Sequence, residues 1–179
     1  SVDPYLPRTQ DFRPFLERMS ARGVGQLLIA GLETEAARII DQAREVGLEA
    51  EILGSDGLEG LVTMGPAYDG TRIGVLYHPQ ASAEAASFAD RFRDAYGREA
   101  DSFAALGYDA TRLLAEAVRE AGAERGAIRD HLAGVGRDGQ PAFQGVTGTV
   151  RFDENGDPVE KRFAVGVVAS GSVSLPEER

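Results

Sequence analysis

The alternation of short apolar runs with longer amphipathic stretches constrains this chain more than any other feature of its sequence. Residues 27–30 (Leu-Leu-Ile-Ala) form a short apolar run, which is typical of a buried strand. Residues 33–46 then place apolar side chains at helical spacing, and Gly47 ends the pattern. Residues 51–53 form the next short strand. A strand, a helix and a second strand in this order predict a parallel α/β crossover.

The same alternation continues on both sides of this unit. A helix is predicted ahead of the first strand, with Asp11 as its cap and Gly23 just past its end. The later predicted elements are a strand at 73–77, helices at 83–96, 102–120 and 127–133, and strands at 148–152 and 162–168. The fold class is therefore α/β, with a parallel sheet. We expect the long helix at 102–120 to bury one apolar face, made of Leu106, Ala110, Leu113, Leu114, Ala117 and Val118.

The turn-rich stretch between the last two predicted strands carries alternating oxygen ligands. Asp153, Asn155 and Asp157 have the spacing that opens a calcium loop. Such a loop needs glycine at its sixth position and an acidic residue at its twelfth, whereas this chain has Pro158 and Ala164 there. The stretch is therefore predicted to be a solvated hairpin turn, and no metal site is expected.

Catalytic and cofactor-binding motifs are missing from the sequence. It has no cysteine, no Gly-x-Ser-x-Gly elbow and no glycine-rich phosphate loop. His78 and His131 lack the spacing of metal ligands, and Asp90 and Asp94 are predicted to lie on a solvated helix face. No cofactor is expected, and an enzyme is the least favoured class of protein.

Charge and hydropathy argue against nucleic-acid binding and against a membrane-spanning segment. The formal net charge is −10, whereas nucleic-acid binding needs a basic face that neutralises phosphates. The sequence contains no run of about 18 apolar residues, so no membrane span is expected. It also shows no signal-peptide pattern.

Two loops qualify as a ligand-binding site. In parallel α/β folds, binding residues lie in loops that follow the carboxyl ends of strands. One such loop follows the first strand and contains Gly31, Leu32, Glu33 and Thr34, and the other is Ser55-Asp56-Gly57. Asp56 is the best polar candidate. The alternative role for Asp56 is to cap a helix or a turn, and turn statistics alone do not separate the two.

Several stretches, taken in order, resemble a known family. They are 11–16 (Asp-Phe-Arg-Pro-Phe-Leu), 42–48 leading to 54–57 (Gly-Ser-Asp-Gly), 101–110 (Asp-Ser-Phe-Ala-Ala-Leu-Gly-Tyr-Asp-Ala), and 143–148 followed by 152–157. Together they are similar to the leucine/isoleucine/valine-binding family of periplasmic binding proteins, over essentially the whole chain. No single motif is decisive, but the ordered set is specific.

The resemblance implies the type I periplasmic binding fold, in which two α/β lobes are joined by a three-stranded hinge and close on a ligand in the cleft. Residues 1–79 resemble part of the second lobe, residues 80–161 the late part of the first lobe, and residues 162–179 a return to the second lobe. The chain would cross between lobes near 77–79 and near 160–162. Family members are longer than this chain. The resemblance covers only their back half, and the chain has no counterpart of their front half.

The resemblance also implies a function and a site. The function is substrate binding for an ABC importer, in the periplasm or otherwise outside the cytoplasm, with a membrane permease as partner. The ligand would be an amino acid of the branched-chain type or a related small polar solute. The match to the acidic residue that holds the ligand's ammonium is Asp56, and the match to an aromatic residue that packs on the ligand is Leu32. The neighbouring candidates are Ser55, Gly57, Glu33 and Thr34.

Two further expectations accompany this assignment. A ligand-sensing regulatory domain of the same fold is the alternative function, and it would lack a neighbouring permease. A half-length chain would also expose sheet edges, which pair readily with other strands. We therefore expect self-association of the chain through those edges.

Overall fold

The computed structural model describes residues 2–137 and 139–175, and the chain forms two compact units. The first unit contains the residues up to Val75 and from Val165 onward, and the second is Leu76–Ala164. Among the described residues, no helix is long and apolar enough to cross a membrane. The helices are α1 Arg13–Ala21, α2 Glu33–Glu45, α3 Ala83–Tyr96, α4 Ser102–Ala121 and α5 Arg125–Gly134, and the strands are β1 Gln26–Ile29, β2 Glu51–Gly54, β3 Arg72–Val75, β4 Phe143–Gly145, β5 Gly148–Val150, β6 Ala164–Ala169 and β7 Ser172–Ser174.

A five-stranded sheet in the order β1-β2-β3-β6-β7 forms the first unit's centre. β1, β2 and β3 pair in parallel, as the alternation of strands and helices predicts, whereas β6 and β7 are antiparallel. The sheet is therefore mixed rather than purely parallel. The helix between β1 and β2 is α2, and it buries the apolar face that its sequence spacing predicts, namely Ala36, Ile39, Ile40 and Ala43.

The predicted capping of α1 is wrong in one respect. The N-cap position is Phe12, which makes no side-chain cap hydrogen bond. Asp11 lies one position before this N-cap, and its carboxylate accepts the N–H of Arg13 at 3.2 Å. The predicted end is confirmed, because Gly23 lies just past the helix with a φ of 65°, a left-handed conformation that glycine adopts without strain.

The first strand differs from the buried run that its composition predicts. β1 is the edge strand of the sheet, and Leu28 at its centre is 71% exposed, although Ile29 is buried. An apolar run therefore predicted a strand correctly but not its burial, since burial depends on which other elements cover it.

The predicted loop after β2 is mostly helical. Asp56–Thr63 forms a 3-10 helix that follows the strand directly. Its geometry places residues three apart on one edge, and Leu58 and Leu61 are both fully buried there.

In the second unit, α3 coincides with its predicted bounds because both ends carry local signals. The hydroxyl of Ser82 accepts the N–H of Ala85, and Gly97 ends the helix with a φ of 67°. One apolar cluster packs around Phe88 and Tyr77, and another consists of Leu113, Val135 and Phe143.

The predicted inward face of α4 is only partly correct. Leu113 and Ala117 are buried, but Ala110 is exposed, Leu114 is 49% exposed and Val118 is 42% exposed. The buried face is rotated, and it consists of Ser102, Ala105, Asp109, Leu113 and Ala117. Sequence spacing favoured the more apolar stripe, whereas hydrogen bonds to Ser102 and Asp109 make burial of these polar positions tolerable.

The last two predicted strands do not form one hairpin. β5 is shorter than predicted and pairs antiparallel with β4, a three-residue strand that the sequence did not indicate. β6 lies in the five-stranded sheet instead. Between them, the Asp153 carboxylate accepts the N–H groups of Asn155 at 2.8 Å and Asp157 at 2.9 Å. These backbone donors lower the pKa of Asp153, so that this carboxylate organises its own turn.

Candidate functional site

The two loops that sequence analysis singled out lie side by side. β1 and β2 are parallel neighbours, and their last residues, Ile29 and Gly54, are paired. The approach of the following loops is close. A Cβ added at Gly57 would lie 2.5 Å from the main-chain oxygen of Gly31, so only glycine fits there. A Cβ added at Gly60 would lie 2.8 Å from the Cγ of Glu33. The structure therefore brings the candidate residues of both loops together.

Asp56 is the first residue of the 3-10 helix and is partly buried. The capping alternative is not observed, because the N-cap position is Ser55 and no side chain caps this helix. Within residues 2–137 and 139–175, the Asp56 carboxylate has no hydrogen-bond or ion-pair partner. An unpartnered carboxylate at the end of a parallel strand is free to take a cationic group from a ligand.

Leu32 borders the same position from the other loop. It occupies the N-cap of α2, where it cannot cap the helix, and its side chain is 60% exposed. A Cβ on Gly57 would lie 3.5 Å from Leu32 Cδ2, which places this aliphatic side chain beside the loop that carries Asp56. The remaining candidates are sequence neighbours of these two residues. Glu33 is partly buried in the first turn of α2, while Ser55 and Thr34 are exposed.

Tyr5 is a supporting residue that sequence analysis missed. Its hydroxyl donates to the main-chain oxygen of Ala30 at 3.2 Å, and a Cβ added at Gly31 would lie 2.3 Å from that hydroxyl oxygen. Its ring also meets Phe12 edge-on, with centroids 5.2 Å apart. Tyr5 thus contacts the start of the first loop, at Ala30 and Gly31. No local pattern in the sequence indicates this contact, since it joins residues 25 positions apart.

A cavity of about 710 Å³ lies elsewhere in the first unit. The N-terminal segment, α1 and β1 line it with mostly apolar side chains, among them Phe15, Leu16 and Leu28. None of the six candidate residues lines this cavity. It marks the open side of the edge strand rather than the site around Asp56.

The loop site combines a carboxylate at Asp56 with an exposed aliphatic surface at Leu32, which suits a solute that carries both a cationic and an apolar group. In the described part of the chain, no three histidine or carboxylate side chains come together as a metal site.

Comparison with known proteins gives a consistent family. A family model described as a periplasmic binding protein matches residues 2–172. Leu/Ile/Val-binding protein homolog 1 of Brucella suis is 31% identical over 152 residues, which is 83% of this chain and 40% of that protein. Homolog 3 of Brucella melitensis is 27% identical over 170 residues, or 91% of this chain and 44% of that protein.

Two crystal structures agree with these relatives. The leucine-binding protein LivK of Thermotoga maritima has 31% identity and a TM-score of 0.85, over 96% of this chain and 49% of its own. The branched-chain amino acid binding protein LivJ of Streptococcus pneumoniae, solved with isoleucine, has 30% identity and a TM-score of 0.79, over 96% and 51%. This chain thus spans about half the length of the proteins that it matches.

Proposed function

The chain belongs to the periplasmic binding protein family and has its type I fold, and on that premise we propose that it is part of the substrate-binding component of an ABC importer. The observation that carries the proposal is the unpartnered carboxylate of Asp56, in a loop whose Gly57 lies next to the loop of Leu32 at the ends of two parallel strands. The leucine-binding and isoleucine-bound relatives support an amino acid as the ligand.

Asp56 takes the ligand's ammonium group in this proposal. Removing an ammonium from water is costly unless a charged partner replaces its hydration. Leu32 packs against the ligand's aliphatic part, and the exposed fraction of its side chain, 60%, leaves surface for that contact. Ser55, Gly57, Glu33 and Thr34 border the ligand. Leucine offers no aromatic face, so this part of the site contributes dispersion and apolar burial rather than cation–π attraction.

The ligand's other contacts come from a part of the family that this chain does not contain. We assign residues 1–79 and 162–179 to the second lobe and residues 80–161 to the first. In the family-length protein the ligand would lie in the cleft between the lobes, with its carboxylate held by the front half. Closure on the ligand would then present the protein to a membrane permease outside the cytoplasm. No catalytic step is part of this function, and the relatives are likewise solute-binding proteins.

Thermal melting with a panel of amino acids and organic acids tests this function. The test uses a family-length protein, in which this chain follows the front half of the Thermotoga maritima relative. A ligand at about 100 times its dissociation constant adds about 2.7 kcal/mol, which gives a clear shift in melting temperature. We expect branched-chain amino acids to give that shift, Asp56→Asn to abolish it, and the exposed Asp94→Asn to leave it unchanged. A folded protein that no member of the panel stabilises would contradict the proposal.

We also propose that this chain, taken alone, associates with a second copy through β1. The strand carries no charged residue, and charges are what natural edge strands use against pairing. Leu28 is 71% exposed at its centre, beside the apolar cavity. Light scattering should therefore give a mass above the monomer that falls with Leu28→Lys. Leu114→Lys, on an exposed apolar position of α4, is the matched control, and a parent chain that stays monomeric at all concentrations would exclude this association.

A further inference from the structure

The buried face of α4 carries two polar side chains, which is unusual for a surface packed against a core. Ser102 is 1% exposed and Asp109 is 4% exposed. They are seven residues apart, close to two helical turns, so both side chains lie on the same face of the helix. The chain passes between the units through two segments. Ser102 is bonded directly to the first of them, and Asp109 is linked to the second through the hydroxyl of Thr147.

The first of these segments is fixed as soon as it enters the second unit. β3 ends at Val75, and the N–H of the next residue, Leu76, donates to Ser102 Oγ at 3.2 Å. Tyr77 follows and is buried, and its hydroxyl donates to the main-chain oxygen of Ala85 at 3.0 Å. No residue therefore separates the strand from its attachment to the second unit.

The second segment is tied to the same helix through a hydroxyl group. The ammonium of Lys161 donates to Thr147 Oγ1 at 2.6 Å, and this hydroxyl donates to Asp109 Oδ2, also at 2.6 Å. Asp109 accepts the N–H groups of Val146 and Thr147 as well, each at 2.8 Å. Asp109 thus holds the β4–β5 turn, and Thr147 in that turn binds Lys161.

The need to hold the hairpin turn does not explain why Lys161 also bonds to Thr147. The two backbone bonds of Asp109 already fix the turn, whereas Lys161 lies 14 residues beyond Thr147. Lys161 is also the only lysine of the chain. Burial lowers the pKa of its ammonium, and the Asp109 charge opposes that shift. A partly buried ammonium loses hydration, and its hydrogen bond to the Thr147 hydroxyl offsets that loss.

We propose that Ser102 and Asp109 are positioning residues that anchor both connecting segments to α4, so that the chain bends only outside these anchors. On the first segment, the chain can bend only at the junction of Val75 and Leu76. On the second, Arg162 and Phe163 lie between Lys161 and β6, and both are exposed. The flexible part of the connection is therefore residues 162–163. This inference rests on the proposed function for its role in lobe closure, but its test needs no ligand.

Acylation of lysine tests the anchor directly, because the chain offers one lysine amine. The reagent is an N-hydroxysuccinimide ester of acetic acid, and the rate at Lys161 is followed by peptide mass under native conditions. We expect Thr147→Val to raise that rate about tenfold, the factor expected for losing a hydrogen bond to a charged group. Thr147→Ser keeps the hydroxyl and should restore the parent rate.

Thr149→Val is the matched control, since Thr149 lies in the same hairpin and its hydroxyl donates to the exposed Gln144 side chain at 3.0 Å. An equal rise in both valine variants would show that loosening of the hairpin exposes Lys161, which would overturn the anchor. An unchanged rate in Thr147→Val would overturn it too. If the lobes never bind a solute, these rates still decide the question.

Hydrogen exchange on the parent chain gives a second measurement that needs no variant. The amide of Leu76, which donates to Ser102, should exchange slowly, and those of Arg162 and Phe163 should exchange fast. Slow exchange at 162–163, or fast exchange at Leu76, would place the bend elsewhere and contradict the proposal.

Discussion

Asp109→Ala is predicted to destabilise the second unit strongly. The change removes the acceptor of two backbone N–H groups, on Val146 and Thr147, and both residues are less than a tenth exposed. An unsatisfied buried donor costs about 1–3 kcal/mol, so the two together cost about 4 kcal/mol. Relief of the buried carboxylate's own desolvation reduces this, and we expect a net loss of about 3 kcal/mol.

Urea denaturation followed by circular dichroism measures this loss as a change in the free energy of unfolding. Asp130→Ala is the control, because Asp130 lies on the surface of α5 and pairs with the exposed Arg129. Exposed substitutions of this kind change stability by less than about 0.5 kcal/mol. A loss below about 1 kcal/mol for Asp109→Ala would refute the view that this carboxylate organises the hairpin turn.

Three further predictions concern close contacts and pH. Gly145→Ala places a Cβ 2.3 Å from a carboxylate oxygen of Asp109, and thermal melting should show a loss of about 1–3 kcal/mol. Gly57→Ala drives a Cβ against the Gly31 main-chain oxygen at 2.5 Å, so it should separate the two loops and weaken ligand binding in calorimetry on the family-length protein. Burial raises the pKa of Tyr77 to about 12, above its unfolded value near 10. The neutral phenol is favoured in the fold, so stability should fall as pH rises through about 10 to 12, and Tyr77→Phe should reduce that fall in melting experiments.

Local signals in the sequence predicted the elements that carry them. α3 has its cap in Ser82 and its end in Gly97, and α2 shows an uninterrupted apolar face, so both helices lie where expected. β4 and β7 have three residues each, which is too short for an alternation pattern to be seen. The exposure of Leu28 depends on which elements flank β1, and no local pattern contains that information.

Part of the candidate site could likewise be predicted from the sequence, whereas the contacts of Lys161 and Asp109 could not. A general rule for parallel sheets predicted which loops to examine, and the structure places them in contact through Gly57 and Gly31. The anchor could not be predicted, because Lys161 and Thr147 are 14 residues apart and Thr147 and Asp109 are 38 apart. Only the tertiary fold brings them together. Spacing alone favoured the apolar stripe of α4 and so missed its buried aspartate.

Calorimetry on the family-length protein tests most directly the proposal that Asp56 binds the ammonium of an amino acid. It should compare leucine with 4-methylpentanoic acid, which has the same carbon skeleton and carboxylate but lacks the amine. We predict that the parent protein binds leucine at least about a hundredfold more tightly, and that Asp56→Asn removes most of this preference, since a buried charge pair contributes several kcal/mol when one partner is lost. Equal discrimination by the parent and by Asp56→Asn would contradict the account.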